Sequence, residues 1–434
     1  MGRLAIVVGT VALLAWAPPA GADDAPGFEV WHRPPGLALR GRPATVQVET
    51  QTSDGNLPRS AWVYLRAAGQ SSFTRLRLLH GGARRAIPDR YLGGRFVDDY
   101  VVVQDSATNT VRRVPATGSF RTWIRDSFHA IDLGTHVFGR VRAPDAIVAR
   151  AEAGDGADRV GFHCPPEGLC DAPTSFDVGP RGEVWVTDQA HERLIGWTQG
   201  HPGAPSRRFH VPIGMADVAI GPRGTVFVSG VLLGDPVHRI SLYAYQPDGV
   251  LRWHSHLLTQ LFDARLRFGP DGVLYAADPL VGWVPATGAD GHPLTVPQQR
   301  RLALADQPVP GGRQLVVRRH TSHDLRVALA AEAGALQRAW DIRSDSVLDD
   351  EGAAGVAGGD PVLVPGVFDV RRHLEEHVII RLAPEGGVAH RFSVGPGLEF
   401  GGEVTTLRLG SDGSLYQLQG SADVGIRVAR YDLG

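Results

Sequence analysis

Residues 175–188 read Ser-Phe-Asp-Val-Gly-Pro-Arg-Gly-Glu-Val-Trp-Val-Thr-Asp. Two short β-rich runs flank a Gly-x-x-Gly turn, and glycine there supplies the positive φ that a tight hairpin needs. The phrase returns. Residues 217–229 read Asp-Val-Ala-Ile-Gly-Pro-Arg-Gly-Thr-Val-Phe-Val-Ser, and residues 265–278 read Arg-Leu-Arg-Phe-Gly-Pro-Asp-Gly-Val-Leu-Tyr-Ala-Ala-Asp. Residues 406–418 read Thr-Leu-Arg-Leu-Gly-Ser-Asp-Gly-Ser-Leu-Tyr-Gln-Leu, and a weaker copy occupies 310–318. The turn glycines Gly179, Gly221, Gly269, Gly311 and Gly410 are separated by 42, 48, 42 and 99 residues. The long step holds two repeats, with a degenerate copy at 358–364. Six units of this period are the signature of propeller blades.

Further strands follow the hairpin, at 193–197 and 208–211 and again at 378–382 and 390–394, so the expected unit has four strands. The last repeat has room for only three before the chain ends. Residues 146–151, Ala-Ile-Val-Ala-Arg-Ala, stand just ahead of the first unit. They are expected to supply the missing strand and close the ring, which removes two open sheet edges.

Upstream, residues 26–124 contain short alternating stretches at 44–50, 60–66, 74–79, 98–104, 110–114 and 120–124, separated by turn residues such as Ser53-Asp54-Gly55-Asn56. That spacing predicts an Ig-like β-sandwich. The fold class expected is all-β: an N-terminal Ig-like β-sandwich at 26–124, a connector at 125–145, and a six-bladed β-propeller at 146–434 closed by its N-terminal strand.

Residues 1–22 carry one charge, Arg3, then an apolar run and Ala20-Gly21-Ala22. This predicts a signal peptide and a secreted or periplasmic protein. An uncleaved anchor is the alternative, although the run is short for a bilayer span. No membrane span is expected after cleavage. Export favours a disulfide between Cys164 and Cys170, with metal binding by these residues and His163 as the rival reading. The formal charge is −2, all 44 basic residues are Arg, and no electrostatic footprint for nucleic acid is present.

The first unit carries a family resemblance. Residues 153–162, Ala-Gly-Asp-Gly-Ala-Asp-Arg-Val-Gly-Phe, followed by the hairpin and then Asp188-Gln-Ala-His-Glu-Arg-Leu-Ile195, resemble an NHL repeat. Asp188 and Arg193 match that family's pattern. His191 stands where Asn is usual, and Leu194 where Ile is usual. The resemblance implies a six-bladed propeller. The wider class includes gluconolactonase-like and streptogramin-lyase-like enzymes as well as binding scaffolds. The first of these uses Glu, Asn and Asp around a divalent ion. Here Asn occurs only at Asn56 and Asn109, outside the propeller.

The candidate ligand site is the propeller mouth. Loops between second and third strands are expected to bring Asp188, His191, Asp278, His320, His323, His373, Glu376 and His377 there. Loops leading into first strands add Asp217, Asp263 and Arg265. For Asp188 and Arg193 a structural bond is the competing role. Residues 373–377, His-Leu-Glu-Glu-His, match the His-x-x-Glu-His pattern of zinc proteases, which requires a helix. The surrounding sequence is strand-like, so a charged loop is expected, with a loop metal site as alternative. No nucleophile elbow, phosphate loop or dinucleotide fingerprint is present, and no cofactor is expected. The expected partner is a protein or glycan ligand. A hydrolase or lyase acting at the mouth is the alternative. Oligomeric state and ligand identity are not encoded in any motif.

Overall fold

The computed structural model describes residues 28–78, 84–163, 171–232, 240–258, 265–278, 282–331, 336–348, 355–398 and 406–434. Among these residues the chain is all-β apart from single-turn 3-10 segments and one short helix, Val296–Leu302. No helix among the described residues is long and apolar enough to cross a membrane. The expected cleavage site, Cys164, Cys170 and Asp263 lie outside the described residues.

Residues 28–125 form two sheets. Strands Glu29–Arg33, Thr45–Gln51 and Arg84–Ala86 make one; the other centres on Ser60–Ala67, Phe96–Gln104 and Phe120–Arg125. Alternation drives the packing: Val30, Val46 and Val48 from the first sheet meet Val63, Leu65, Val97, Val101 and Val103 from the second in one core.

Six further sheets follow among the described residues. The first is an antiparallel meander of Phe176–Val178, Val184–Asp188, Arg193–Trp197 and Arg207–His210. The second runs Ile213–Ile220, Val226–Leu232, Ile240–Tyr245 and Leu251–His256. Neighbouring sheets share apolar clusters. Trp185 and Leu194 of the first pack with Val218 and Val228 of the second, and Ala219 and Leu242 of the second pack with Leu266 and Leu274 of the third. The sixth sheet returns to the first through Ile426, Val428 and Leu418 against Phe176, Val186 and Trp197. The arrangement is propeller-like, with first strands inward.

The repeat's two glycines do different jobs. Positive φ falls on the second of each pair, Gly182, Gly224, Gly272 and Gly413, and not on the first. The first is required for space: a Cβ at Gly269 would lie 2.7 Å from the Tyr275 ring, and one at Gly410 would lie 2.6 Å from Tyr416. The expectation that the leading glycine supplies the positive φ is therefore corrected in these four turns, where it falls three residues later, and holds at Gly311, with φ of 82°.

The sixth sheet contains Leu407–Leu409, Leu415–Ser421, Gly425–Tyr431 and, antiparallel to the last of these, Ala146–Ala151. The third sheet departs from the four-strand unit. It has Arg265–Phe268, Leu274–Asp278 and Gly282–Pro285, and Leu304 bridges Trp283 at its outer edge. Between them lies Val296–Leu302, started by a capping box of Thr295 and Gln298.

The stretch expected to be a plain connector is built into the ring. His129–Asp132 pairs in parallel with Leu336–Arg343 as a fifth strand of the fourth sheet. Val141 then bridges Ser393 of the fifth sheet before the chain enters Ala146–Ala151. The sandwich also contacts the fourth sheet: Leu37 and Trp123 pack with Val316, Ala328, Ala330 and Ala339. That contact is apolar at its centre, whereas a polar domain interface is the usual expectation.

Candidate functional site

The first strands of several sheets meet at a buried guanidinium. Arg408, in Leu407–Leu409 of the sixth sheet, is buried and spends its guanidinium on three other sheets. Its Nε donates to the Phe176 carbonyl at 2.7 Å and its Nη1 to the Leu266 carbonyl at 2.6 Å. Its Nη2 donates to the Val218 carbonyl at 2.7 Å and to Asp217 Oδ1 at 2.5 Å. One side chain thus ties together the first strands of the first, second, third and sixth sheets.

Asp217 is the acceptor half of this plug. Its Oδ1 accepts from the Ser175 hydroxyl and from Val218 N–H at 3.0 Å, and its Oδ2 from Leu266 N–H at 2.5 Å. Asp177 flanks it, with Oδ2 accepting from Ile220 N–H at 2.7 Å and Oδ1 3.8 Å from Arg408. Burial pushes Asp177 up to about 6, against the pull of Arg408. Burial also raises Asp217, again opposed first by Arg408. Desolvation therefore outweighs the ion pairs at both carboxylates. Asp217 is an expected mouth residue; its carboxylate is part of the inter-sheet network.

Asp188 closes Val184–Asp188 with no exposed surface. It accepts from Gly161 N–H at 2.9 Å and from Arg193 Nε at 2.6 Å, and His191 Nδ1 lies 2.9 Å away. Arg193 reaches on to the carbonyls of Gly156 and Arg159. The trio pins the glycine-rich stretch onto the first sheet.

The remaining candidates disperse. Glu376 lies within Leu374–Leu382, and its Oε2 is 2.8 Å from His136 Nε2 while its Oε1 accepts from Gly139 N–H at 2.6 Å. It clamps the connector. His377, its neighbour in the strand, points to the other face. Burial first, and the charge of Arg265 second, drop His377 to about 4. Its Nδ1 is buried without a hydrogen bond. His373 is exposed in the preceding turn, with φ of 53°. Glu376 and His377 are thus strand residues rather than loop residues, and the helix that a zinc-protease pattern requires is replaced by strand.

His323 is exposed and its Nδ1 lies 3.2 and 3.1 Å from the carbonyls of Ser344 and Ser346. His320 lies one residue before the end of Arg313–Thr321 and lines a cleft against the sandwich together with Arg318, Arg319 and Arg326. Asp278 ends Leu274–Asp278. Among the described residues, no three His, Cys, Asp or Glu side chains converge as metal ligands would. The structure brings together Asp188 with His191, and the charge of Arg265 is felt at His377.

The plug residues Arg408, Asp177 and Ser175 are absent from the sequence-derived site. A signal for them exists. The position two before the leading glycine holds Asp177, Ala219, Arg267 and Arg408 in the four clear repeats. A charge recurring in an otherwise apolar inner strand demands a buried partner.

No protein-family model matches the chain, and no curated protein matches it. Solved structures that resemble it include a streptogramin B lyase, at 9% identity and a TM-score of 0.26, covering 77% of this chain and 90% of that one. A virginiamycin B lyase from Staphylococcus aureus with quinupristin matches at 9% identity and a TM-score of 0.31, covering 89% of this chain and 99% of that one. A luciferin-regenerating enzyme matches at 10% identity and a TM-score of 0.33, covering 66% and 93%. At this level the resemblances assign no activity to the chain.

Proposed function

We propose that this chain is a secreted or periplasmic binding module: an Ig-like sandwich and a six-bladed, NHL-like propeller that present their surfaces to a protein or glycan ligand. One observation carries the reading. Three of the acidic candidates for a mouth-based catalyst are committed to the fold: Asp188 to Gly161 and Arg193, Asp217 to Arg408 and Leu266, and Glu376 to His136 and Gly139. A general base must reach the proton it abstracts, and these carboxylates already accept the bonds that would orient it.

The same reading includes cleavage after Ala22, a Cys164–Cys170 disulfide and six blades counted by sheet. The test is a paired one on the exported protein. Binding is scored on immobilised glycans and extracellular proteins, and turnover on the same glycans by release of new reducing ends or unsaturated products. Saturable binding without turnover is expected. Turnover that falls about a hundredfold or more in His377→Ala or Arg265→Ala would overturn the reading in favour of a mouth-based hydrolase or lyase.

A further inference from the structure

The larger sheet of residues 28–125 turns one face to the core and the other outward, and strand alternation sorts its side chains. Val63, Leu65, Val97, Val101 and Val103 fill the core. Trp62, Tyr64 and Arg66 of Ser60–Ala67 therefore point outward, as do Asp98, Tyr100 and Val102 of Phe96–Gln104. Register extends the pattern to the neighbouring strands Thr74–Arg77, Val111–Val114 and Phe120–Arg125. Tyr64 stands opposite Tyr100 and Arg75, and Trp62 opposite Arg77. Val102 stands opposite Arg113, and Asp98 opposite Arg121.

The outward face is an array of guanidinia laid on rings. The Tyr64 and Tyr100 rings stack at 4.5 Å, 7° from parallel. The Arg113 guanidinium carbon lies 3.9 Å from the centre of the Tyr100 ring, and that of Arg75 lies 4.3 Å from the Trp62 ring. Arg66 covers Phe73 at 4.4 Å. Stacking holds each guanidinium plane in place and leaves its N–H edge for an oxyanion, so less freedom is lost on binding.

The charge is one-sided. At the outward positions of these strands, Arg66, Arg75, Arg77, Arg113 and Arg121 stand against one acid, Asp98. Asp98 is already spent: its Oδ2 accepts from Arg66 at 2.9 Å and its Oδ1 from Arg121 at 2.7 Å. Arg113 donates to the carbonyls of Pro115 and Gly118 and meets no acid. Arg75 and Arg77 are exposed and make no hydrogen bond or ion pair among the described residues.

The two central strands are paired on both sides, so a peptide finds no free strand edge to join here. Arg75 and Arg113 stand three strands apart, about 14 Å at the usual strand spacing, so a single small anion reaches one of them and not both.

We propose that this face binds a linear anionic polysaccharide, with successive carboxylates or sulfates on Arg75, Arg77 and Arg113 and sugar hydroxyls on the Tyr64 and Tyr100 hydroxyls. The guanidinium fork matches either anion. The proposal rests on the binding-module reading and names the ligand class and its place.

The test is calorimetry on the full chain. The probes are hexagalacturonate, a heparin-derived hexasaccharide, maltohexaose, hexaglutamate and sodium sulfate. At least one acidic hexasaccharide is expected to bind about tenfold or more tighter than each of the last three. Arg75→Ala combined with Arg77→Ala should weaken it about tenfold or more, while the melting temperature stays within a few degrees because both side chains are exposed. Arg75→Lys with Arg77→Lys should recover part of the loss. Arg207→Ala with Arg208→Ala removes the same charge from the exposed strand Arg207–His210 of the first propeller sheet and should leave binding within about twofold. The uronate and sulfate arms distinguish the two sources of charge. The assignment fails if neither acidic sugar outbinds maltohexaose, if hexaglutamate binds as tightly, if binding survives loss of Arg75 and Arg77, or if loss of Arg207 and Arg208 weakens it as much. Acidic-sugar binding that survives loss of Arg75 and Arg77 leaves the binding-module reading intact. Cleavage of a bound hexasaccharide removes that reading, and weaker binding without Arg75 and Arg77 then still supports the face.

Discussion

Arg408 donates to Asp217 at 2.5 Å between the sixth and second sheets, and both side chains are shielded from solvent. The two residues belong to the sixth and second sheets, so the bond acts between elements far apart in the chain. Removing one partner leaves the other charged and buried, which costs about 3–5 kcal/mol. Arg408→Ala and Asp217→Ala should each lower stability by about that much in urea unfolding. Arg408→Met combined with Asp217→Asn should lose less than the sum, because neither member of this closest pair is left charged without the other, although Asp177 and Arg267 lose their more distant partners. Additive losses would show that the pair is not coupled.

The pH dependence of stability should reflect two opposing groups. Asp177 rises to about 6 in the fold, against 3.8 in the free side chain. Its contribution is therefore full below pH 4 and lost as pH rises through 6, by up to about 3 kcal/mol. His377 falls to about 4 from 6.5, so its contribution is lost as pH falls from 6.5 towards 4, by a similar amount. The two slopes oppose each other between pH 4 and 6, and the raised Asp217 adds to the slope of Asp177. Asp177→Asn should stabilise the protein at pH 7 and reduce the loss on going from pH 4 to pH 7. His377→Phe should reduce the loss in the opposite direction. Melts across pH 4–7 measure both, and parallel profiles for wild type and variants would contradict the assignment.

The His136–Glu376 pair should govern the belt formed by the connector. Glu376 holds His136 at 2.8 Å and Gly139 N–H at 2.6 Å from the fifth sheet. Glu376→Ala leaves a buried imidazole and an amide unsatisfied, a cost of about 1–3 kcal/mol each. Hydrogen exchange over residues 133–142 should accelerate, while residues 226–232 stay protected. Equal acceleration in both would mean global loss of the fold and not release of the belt.

The hairpins were legible because their turns need two glycines each, and few other residues can stand there. The strand Ala146–Ala151 was legible through an accounting argument, since the last repeat lacks a partner. His129–Asp132 was not. It is four residues long, carries no clear alternation, and pairs with Leu336–Arg343, roughly two hundred residues away in sequence. Glu376 is expected at the mouth because residues 373–377 read as a charged loop between second and third strands, whereas it lies inside Leu374–Leu382. Its real partner is the connector, which no local pattern reveals. Arg408 went unnoticed because the leucines beside it, Leu407 and Leu409, read as ordinary strand. The position it shares with Asp177 and Arg267 becomes informative once the repeats are aligned on their leading glycines and compared column by column.

The remaining prediction concerns closure of the ring against attachment of the sandwich. Ala146–Ala151 pairs along Gly425–Tyr431, and Ala149 and Ala151 lie in the cluster that joins the sixth sheet to the first. Removing residues 145–151 opens two sheet edges and divides that cluster. Removing residues 28–124 instead exposes Val316, Ala328, Ala330 and Ala339, the apolar patch under Leu37 and Trp123. This second loss is larger than a polar interface would give, and it should make the truncated chain prone to associate. It nevertheless leaves the connector strand His129–Asp132 and every sheet of the ring complete. The chain without the sandwich should therefore melt cooperatively at a lower temperature. The chain without residues 145–151 should lose its cooperative transition. Ala149→Asp provides a version without any deletion: a carboxylate in the shared cluster should cost about 3 kcal/mol or more. If the closure deletion and Ala149→Asp both melt like the sandwich deletion, the strand contributes no more than a domain contact. The ring would then have to be held by its inner strands and the Arg408 plug.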